Sequence, residues 1–322
     1  MSNIKVNGIH HVTAIAGDPQ ANLDFYTQIL GLRFIKKTVN FDDPFTYHLY
    51  YGDETGNPGT ILTFFPWSTK GFKGKKGSGQ ITTLSFSIPF NSLDFWTQRL
   101  KDNNIIFTGP YKRFEDEILL FEDPDGFETE LIASREEERI PWQWGEIPSE
   151  HSIRGFHSIT LSEKSQADTG NFIVNLLGFR RHLASENRTR YSSGKGGPGK
   201  YIDILFTPDL PAGKMGIGAV HHVAFRTEND ESQIKLREKL MENSIDVTPV
   251  IDRNYFHSIY FNEPGNVICE VATDPPGFLI DESKNELGQN LKLPIWYEAK
   301  RSEIEKILPK LVVPSFSLNN KD

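Results

Sequence analysis

The sequence predicts an α+β protein in which four βαβββ modules pair into two cupped, mixed β-sheets. A strand followed by an amphipathic helix occurs four times along the 322 residues. Two of these helices end at Gly31 and Gly178, where a left-handed C-cap is expected, and an apolar and basic segment follows each glycine. Clusters of Pro, Asp, Asn and Gly that are typical of turns precede the last strand of the second and fourth modules.

The predicted elements follow the same order in each module. The opening strands are apolar runs at residues 9–15, 81–88, 155–161 and 219–226. The helices have apolar side chains at three- and four-residue spacing and are predicted at residues 22–30, 92–100, 170–177 and 234–240. Closing strands are predicted after the turn clusters, at residues 127–133 and 267–272. One such module cannot close a core alone, whereas a pair of modules can form a cupped sheet.

These elements give the predicted boundaries. The modules span residues 1–70, 80–135, 154–210 and 217–275, with a linker at 136–153 and a C-terminal extension at 276–322. The extension is expected to contain a helix at residues 296–308. We expect modules 1 and 4 to pair around a metal, and modules 2 and 3 to form a degenerate cup.

Composition excludes several classes of partner. The net charge of −8 argues against nucleic acid and anionic membranes as partners. No apolar stretch approaches the roughly 20 residues of a membrane-spanning helix, and the N-terminus has no apolar signal core. The single cysteine, Cys269, excludes an intramolecular disulfide and is typical of a reducing compartment. We therefore expect a cytoplasmic protein, and whether it is a homo-oligomer stays open.

Two histidine doublets are the most informative motifs. His10-His11 and His221-His222 lie in the opening strands of modules 1 and 4, and Glu270 lies in the closing strand of module 4. Two imidazoles and one carboxylate on adjacent strands are the ligand set of non-haem Fe(II) oxygenases. Because neighbouring residues of a strand point to opposite faces, one histidine of each doublet is expected to bind the metal. The repeat aligns His11 with His222, so these two and Glu270 form the predicted metal site.

A second ligand set remains open from the residues alone. The repeat also aligns Thr83 and His157 with His11. Pairing modules 3 and 4 would bring His157, rather than His11, to His222 and Glu270. We favour the pairing of modules 1 and 4 because both carry the full doublet. In the other cup Thr83 takes a ligand position beside Glu130 and His157, so that cup is expected to hold no metal.

The chain resembles the vicinal oxygen chelate superfamily of glyoxalases, bleomycin-resistance proteins and extradiol dioxygenases. Within it, the chain is similar to hydroquinone-type ring-cleaving dioxygenases, and most similar to the bacterial enzymes linked to methylhydroquinone. The resemblance extends to about residue 309, and its most specific segments are residues 8–13, 219–226 and 270–278. It implies Fe(II), with Mn(II) as an alternative, bound by residues matching His11, His222 and Glu270. It also implies catalytic residues around the metal, which match His10, Thr13, His221, Arg253 and Tyr260.

The implied activity is insertion of O2 into a small hydroquinone-type aromatic, in the detoxification of quinones and aromatics. Arg253 and Tyr260 are candidates for stabilising the oxygen charge that develops during the reaction. His10, His221 and His257 are candidates for proton transfer, because histidine titrates near neutral pH. The sequence does not distinguish methyl-, chloro- or unsubstituted hydroquinone from a catechol.

Two other functions compete on the same scaffold. A glyoxalase-like isomerase or a thiol transferase adds a carboxylate ligand from the last strand of the partner module, but residues 59–65 contain no carboxylate. A non-catalytic binding protein usually loses the ligand set, which is complete here. Both features favour an oxygen-binding site.

Overall fold

The computed structural model describes residues 5–68, 71–143 and 146–314. Residues 144 and 145 of the predicted linker, residues 69 and 70 at the predicted end of module 1, and the last eight residues of the C-terminal extension lie outside this range. The described residues form two eight-stranded sheets, which confirms the predicted α+β class with two cupped mixed sheets.

The strands of the first sheet are β1 (Ile9–Ala16), β2 (Arg33–Asn40), β3 (Asp43–Gly52), β4 (Ile61–Pro66), β13 (Val220–Thr227), β14 (Ile251–Asp252), β15 (Phe256–Asn262) and β16 (Ile268–Pro276). Those of the second sheet are β5 (Gln80–Pro89), β6 (Phe107–Arg113), β7 (Asp116–Glu122), β8 (Glu128–Ser134), β9 (Gly155–Glu163), β10 (Arg180–Ser185), β11 (Arg188–Ser192) and β12 (Tyr201–Phe206). The first sheet has the order β14-β15-β16-β13-β1-β4-β3-β2, and the second has the order β10-β11-β12-β9-β5-β8-β7-β6.

Both sheets have the same mixed pairing at their centre. In the first, β1 is antiparallel to β13, while β1 is parallel to β4 and β13 is parallel to β16. In the second, β5 is antiparallel to β9, with β8 and β12 as their parallel neighbours. Parallel neighbours within one module need a crossover connection, which the helix of each module begins. The two strands that carry the histidine doublets are therefore adjacent at the centre of one sheet.

The helices lie close to their predicted positions, with two differences. They are α1 (Pro19–Asp24), α2 (Leu93–Asp102), α3 (Gln166–Asn175), α4 (Asp230–Glu242) and α5 (Arg301–Ile307). The first helix begins earlier than predicted, because Asp18 caps the backbone N–H groups of Gln20 and Ala21, and it continues as a π-helical turn, Phe25–Ile29. The predicted helix at 296–308 is a 3₁₀ segment, Ile295–Lys300, followed by α5. Gly31 and Gly178 have positive φ angles of 70° and 80°, as the predicted C-caps require. No helix in the described part of the chain is long and apolar enough to cross a membrane.

Side chains alternate between the two faces along the central strands, so one face packs in the core and the other faces the site. Val12 on β1 and Val223 on β13 are fully buried in one apolar cluster that also contains side chains of the second sheet, such as Leu84 and Ile159. Burying each such side chain contributes about 1.5–3 kcal/mol. The polar side chains of the same strands therefore lie on the opposite face of the sheet, inside the cup.

A buried ion cluster attaches the C-terminal extension to the first sheet. The Lys36 side chain on β2 is fully buried, and its Nζ lies 2.6 Å from Asp281 Oδ1 and 2.5 Å from Glu282 Oε2. The same Nζ donates to the carbonyl oxygen of Phe278 at 3.3 Å. Phe278 packs in an apolar cluster with Tyr50 and other residues of the cup, so this lysine fixes the segment that closes one end of the cup.

A pair of buried carboxyl groups lies where module 3 meets module 4. Glu163 ends β9, and Glu263 lies in the turn before β16; both are at most 3% exposed. Thr169 Oγ1 donates to Glu263 Oε2 at 2.6 Å, whereas Glu163 Oε1 has no hydrogen-bond partner among the described residues. Burial, with a smaller effect of the Glu263 charge, raises the pKa of Glu163 to about 8.

Glu163→Gln is expected to stabilise the protein at pH 8 and to have little effect near pH 4.5. The unfolded chain releases the Glu163 proton near pH 4.5, whereas the folded protein keeps it up to about pH 8, so stability falls as the pH rises through this window. The glutamine removes that loss, on the order of 2–4 kcal/mol. Urea unfolding at both pH values measures the effect, with Glu238→Gln on the exposed face of α4 as the control. An equal effect of Glu163→Gln at both pH values would contradict the assignment.

Candidate metal centre

Three buried side chains from three strands meet inside the first cup. His11 on β1, His222 on β13 and Glu270 on β16 are at most 6% exposed. His222 Nε2 lies 3.0 Å and His11 Nε2 lies 3.3 Å from Glu270 Oε2, and the two Nε2 atoms are 3.4 Å apart. In the described part of the chain, no second group of three such ligand atoms comes this close.

The spacing of these atoms fits a metal ion better than a hydrogen-bonded cluster. Ligands that bind a metal at about 2.1 Å and subtend about 90–110° lie about 3.0–3.4 Å apart. Glu270 Oε2 accepts no properly directed hydrogen bond, although both imidazole nitrogens are near it. Its other oxygen, Oε1, accepts from Ser258 Oγ at 2.5 Å, which fixes the carboxylate. The only hydrogen-bond contact among the three atoms is the long one of 3.4 Å between the two Nε2 atoms, so the spacing places them around a common centre.

Each histidine doublet lies at a β-bulge, so its two side chains do not point to opposite faces of the sheet as the sequence predicted. The β1–β13 register shifts between Ile9 and His11 and again between Thr13 and Ala14, so each strand has an extra residue at its doublet. The neighbouring histidines consequently do not alternate between faces: His10 Nδ1 lies 2.9 Å from His11 Nδ1, and the second doublet has the same contact at 2.8 Å. His10 and His221 each hold the ring beside them.

The environment favours a charged carboxylate at Glu270 and neutral rings at His10, His221 and His222. Burial alone would raise the pKa of Glu270, but His11 and His222 hold it well below its usual range. Burial lowers the pKa of His222 and, together with the neighbouring His222, lowers that of His221 to about 3. Burial and the neighbouring His11 also lower the pKa of His10. Neutral imidazoles and an ionised carboxylate are the protonation states that bind a metal.

A local two-fold relation places Thr63 where a fourth ligand would lie. On β13 and β16, Ala224 is beside Glu270, and on β1 and β4 Thr13 is beside Thr63. Thr13 on β1 pairs with His222 on β13, and Ala224 on β13 pairs with His11 on β1. The β1–β4 pair and the β13–β16 pair are therefore equivalent, and Thr63 occupies the place that matches Glu270. A threonine at this place leaves that side of the centre without a carboxylate.

Thr63 belongs to a chain of hydrogen bonds that the sequence analysis missed. Thr63 Oγ1 donates to Thr13 Oγ1 at 2.8 Å, so it accepts from His48 Nε2 at 2.8 Å. His48 Nδ1 then accepts from the Tyr50 hydroxyl at 2.8 Å. This direction leaves the proton of the Thr13 hydroxyl free to donate into the cup. His48 and Tyr50 lie on β3 without a motif, and only strand alternation would have suggested that they face one side.

Half-buried side chains mark the mouth of the cup. His48, Phe65 and His221 are on one side, and Tyr260 and Arg253 are on the other. The Tyr260 ring lies 5.8 Å from the His222 ring, and Arg253 Nε donates to the Tyr260 hydroxyl at 3.1 Å. Arg253 Nη1 also lies 3.3 Å from Oδ2 of the exposed Asp42. The opposite end is closed by the apolar cluster of Ile35, Tyr50, Ile61, Ala224, Tyr255, Phe256, Ala272, Phe278 and Leu287.

His257 lies outside this site, in contrast to its predicted role in proton transfer. Its Nδ1 is 2.7 Å from Asp230 Oδ1 at the start of α4, on the helix side of the sheet. Cys269 faces away from Glu270 and is buried in the core.

The second cup shows how the repeat is aligned, and no ligand cluster forms there among the described residues. In the first cup, Glu270 lies beside Ala224, and Ala224 pairs with His11. In the second cup, Glu130 lies beside Ser85, and Ser85 pairs with Ser158. Ser158 therefore matches His11, and His157 matches His10, which corrects the predicted alignment of His157 with His11. His11 follows Gly8 at the same spacing at which Ser158 follows Gly155, so this spacing in the sequence would have given the correct alignment. His157 is in the other sheet and bonds Ser158 Oγ through Nδ1 at 3.1 Å, so the alternative ligand set does not form.

Comparison with known proteins points to one family. The sequence model of the Glyoxalase/Bleomycin resistance protein/Dioxygenase superfamily matches residues 8–131 and 155–281. The chain is 44% identical to MhqO of Bacillus subtilis (strain 168), named as a ring-cleaving dioxygenase, over 95% of this chain and 97% of that protein. It is 33% identical to the chlorohydroquinone/hydroquinone 1,2-dioxygenase of Sphingobium indicum, over 96% and 98% of the two chains. The crystal structure named as that of a dioxygenase from Bacillus subtilis subsp. subtilis str. 168 superposes with a TM-score of 0.93 at 43% identity, over 97% and 99%.

Proposed function

Because this chain belongs to the Glyoxalase/Bleomycin resistance protein/Dioxygenase superfamily, we propose that it is an Fe(II)-dependent dioxygenase that cleaves the ring of a hydroquinone. The family resemblance drawn from the sequence is confirmed, and relatives that match nearly the whole chain are named ring-cleaving dioxygenases. The metal, the substrate and the roles of individual residues are our proposal. The observation that carries it is the convergence of His11, His222 and Glu270 on one centre, with no fourth His, Cys, Asp or Glu ligand beside them among the described residues.

His11, His222 and Glu270 would hold the metal and leave the remaining coordination positions facing the cup. When bound there, Fe(II) supplies a Lewis acid that lowers the pKa of a phenolic hydroxyl and brings O2 to the ring. Three ligands with one negative charge suit Fe(II), and they also accept Mn(II). The role of the protein is then to hold this set rigidly and to leave room for two small molecules.

His10 and His221 would fix the ring orientation of the two histidine ligands. If His11 uses Nε2 for the metal, its Nδ1 carries the proton and donates to His10 Nδ1, and His222 is related to His221 in the same way. Such contacts set the tautomer of a metal-binding histidine and raise its basicity. The contacts therefore support a role for both neighbours in maintaining the metal site.

Thr13, Tyr260 and Arg253 would stabilise negative charge on the oxygen atoms of the reactants. The Thr13 hydroxyl has a free proton inside the cup, and the guanidinium of Arg253 is held on the Tyr260 hydroxyl near the mouth. A cation and two hydroxyl groups can stabilise negative charge that develops on oxygen in a water-poor cup. These three residues are thus our candidates for transition-state stabilisation.

A hydroquinone is the substrate class that suits both the cup and the relatives. Phe65 and Phe256 are aromatic side chains within 6 Å, centroid to centroid, of the His221 and His11 rings. Flat aromatic walls favour an aromatic ring over a flexible thiol or sugar. The Sphingobium indicum relative is named for hydroquinone and chlorohydroquinone, and methylhydroquinone is our first choice for this chain. We propose a role in detoxification of quinones and aromatics in the cytoplasm.

Two alternatives are weighed against this proposal. A glyoxalase-like isomerase or a thiol transferase would have a carboxylate at the position of Thr63, and a binding protein would not need the ligand set. Neither alternative predicts consumption of O2.

Oxygen uptake by Fe(II)-loaded protein tests the proposal. Protein loaded with Fe(II) without air and then given methylhydroquinone and O2 is expected to consume both in equal amounts. His11→Ala is expected to stop the uptake, whereas His157→Ala, which removes a histidine of the second cup at the place that matches His10, is expected to retain most of it. Absence of uptake with every hydroquinone and catechol would contradict the dioxygenase proposal and favour the isomerase or the binding protein.

A further inference from the structure

The two cups allow the same positions to be compared with and without a metal-binding set. Glu130 and Glu270 occupy equivalent places, and the arginines Arg113 and Arg253 precede them at the same spacing in the sequence. The same arginine–glutamate pair therefore occurs twice in the chain, and its two arrangements can be compared.

In the second cup the arginine binds the carboxylate directly. Arg113 Nη1 donates to Glu130 Oε2 at 2.9 Å, and Nη2 donates to Glu130 Oε1 at 2.6 Å. Ser85 Oγ and the Tyr111 hydroxyl donate to the same carboxylate at 2.7 and 3.1 Å. A two-pronged pair of this kind satisfies both oxygens and neutralises the charge. Glu130 consequently has no free oxygen for a metal.

In the first cup the arginine is held elsewhere. Arg253 Nε donates to the Tyr260 hydroxyl, its guanidinium lies 5.2 Å from the centre of the Tyr260 ring, and its Nη1 faces Asp42. Tyr260 pairs with Glu270 on the neighbouring strand, and Leu120 pairs with Glu130 in the same way. The residue that holds Arg253 in the first cup is therefore a leucine in the second.

Glu270 remains an attractive partner for this guanidinium. Its Oε2 is buried and accepts no directed hydrogen bond, and its charge acts on Arg253 together with that of Asp42. A buried carboxylate attracts a cation more strongly than the exposed Asp42 does, because the surroundings are less polar. Without Tyr260, the carboxylates that act on the guanidinium are the exposed Asp42 and the buried Glu270, and of these only Glu270 is shielded from water.

We infer that Tyr260, assisted by Asp42, is a positioning residue that keeps Arg253 off Glu270 and so keeps the carboxylate free for the metal. This inference rests on the proposed metal site and deepens it. A guanidinium on Glu270 and a divalent cation on the same oxygen exclude each other, because both use the Oε2 lone pairs and both are positive.

Co(II) affinity, measured by competition with a chromophoric chelator, tests the inference without turnover. Tyr260→Leu, which places the second cup's leucine at this position, is expected to weaken Co(II) binding by about 10- to 100-fold. The double variant Tyr260→Leu/Arg253→Leu is expected to regain the affinity of the native protein, because no guanidinium remains to bind Glu270. Tyr111→Leu removes the tyrosine that contacts Arg113 and Glu130 in the second cup, and it is expected to change the affinity less than threefold.

Each result decides the inference. Unchanged Co(II) affinity in Tyr260→Leu would overturn it, and so would a loss that the double variant does not restore, since that would be a packing defect. Native protein that binds no Co(II) would overturn both the inference and the proposed metal site. Native protein that binds Co(II) and shows the rescue, yet consumes no O2 when loaded with Fe(II), would support the inference while the proposed reaction fails.

Discussion

Glu270→Ala and His222→Ala are expected to lose metal binding and oxygen uptake while the fold remains intact. Each variant removes one of three ligand atoms that lie within 3.4 Å of one another. The loss should exceed the roughly 10- to 100-fold typical of residues that only support a ligand. Circular dichroism establishes the fold, chelator competition gives the metal affinity, and an oxygen electrode gives the rate.

The second cup provides matched controls for both variants. Glu130→Ala removes the carboxylate that is equivalent to Glu270, and Thr83→Ala alters the position that is equivalent to His222. Glu130→Ala should lower stability, because it leaves Arg113 without its main partner, but metal affinity should not change. Full turnover by Glu270→Ala or His222→Ala would refute the site, and equal losses in the controls would show a general effect on the fold.

Lys36→Met is expected to lower the free energy of unfolding by about 3–5 kcal/mol, the cost of breaking a buried ion pair from one side. The lysine is fully buried, and its removal leaves Glu282, only 1% exposed, as an uncompensated charge. Because native proteins are stable by about 5–15 kcal/mol, this loss is a large fraction of the total. Urea unfolding monitored by fluorescence measures it.

Lys37→Met is the control, since the neighbouring side chain is only partly buried. It should change the free energy of unfolding by about 0.5 kcal/mol, as is usual for surface positions. A loss below about 1 kcal/mol in Lys36→Met would contradict the account of how the C-terminal extension is attached.

The sequence predicted the strands, the helices and the three converging side chains because each has a local signal. His11 and His222 lie in doublets at matching places of a repeat, and Glu270 lies in an apolar strand after a turn cluster. Periodicity of two for strands and of three to four for helices then gives the elements. The π-helical turn after Asp24 was not predicted, because a hydrogen bond from Leu30 to Phe25 leaves no clear sequence pattern.

The remaining features depend on contacts between distant residues. The bulges that bring His10 onto His11 arise from the register of β1 against β13, which no residue type announces. His48 reaches Thr13 only through Thr63 on another strand. The burial of Lys36 has no local signal in the sequence, since its two carboxylate partners come from the C-terminal extension far along the chain.

Isotope labelling of the product is the most direct test of the central claim. Fe(II)-loaded protein is given methylhydroquinone under ¹⁸O2, and the product is reduced with borohydride at once so that an aldehyde oxygen cannot exchange with water. A ring-cleaving dioxygenase predicts a ring-opened product that carries both ¹⁸O atoms. Unlabelled product, or quinone formed with release of peroxide, would contradict the account, because O2 would then have served only as an oxidant or not at all.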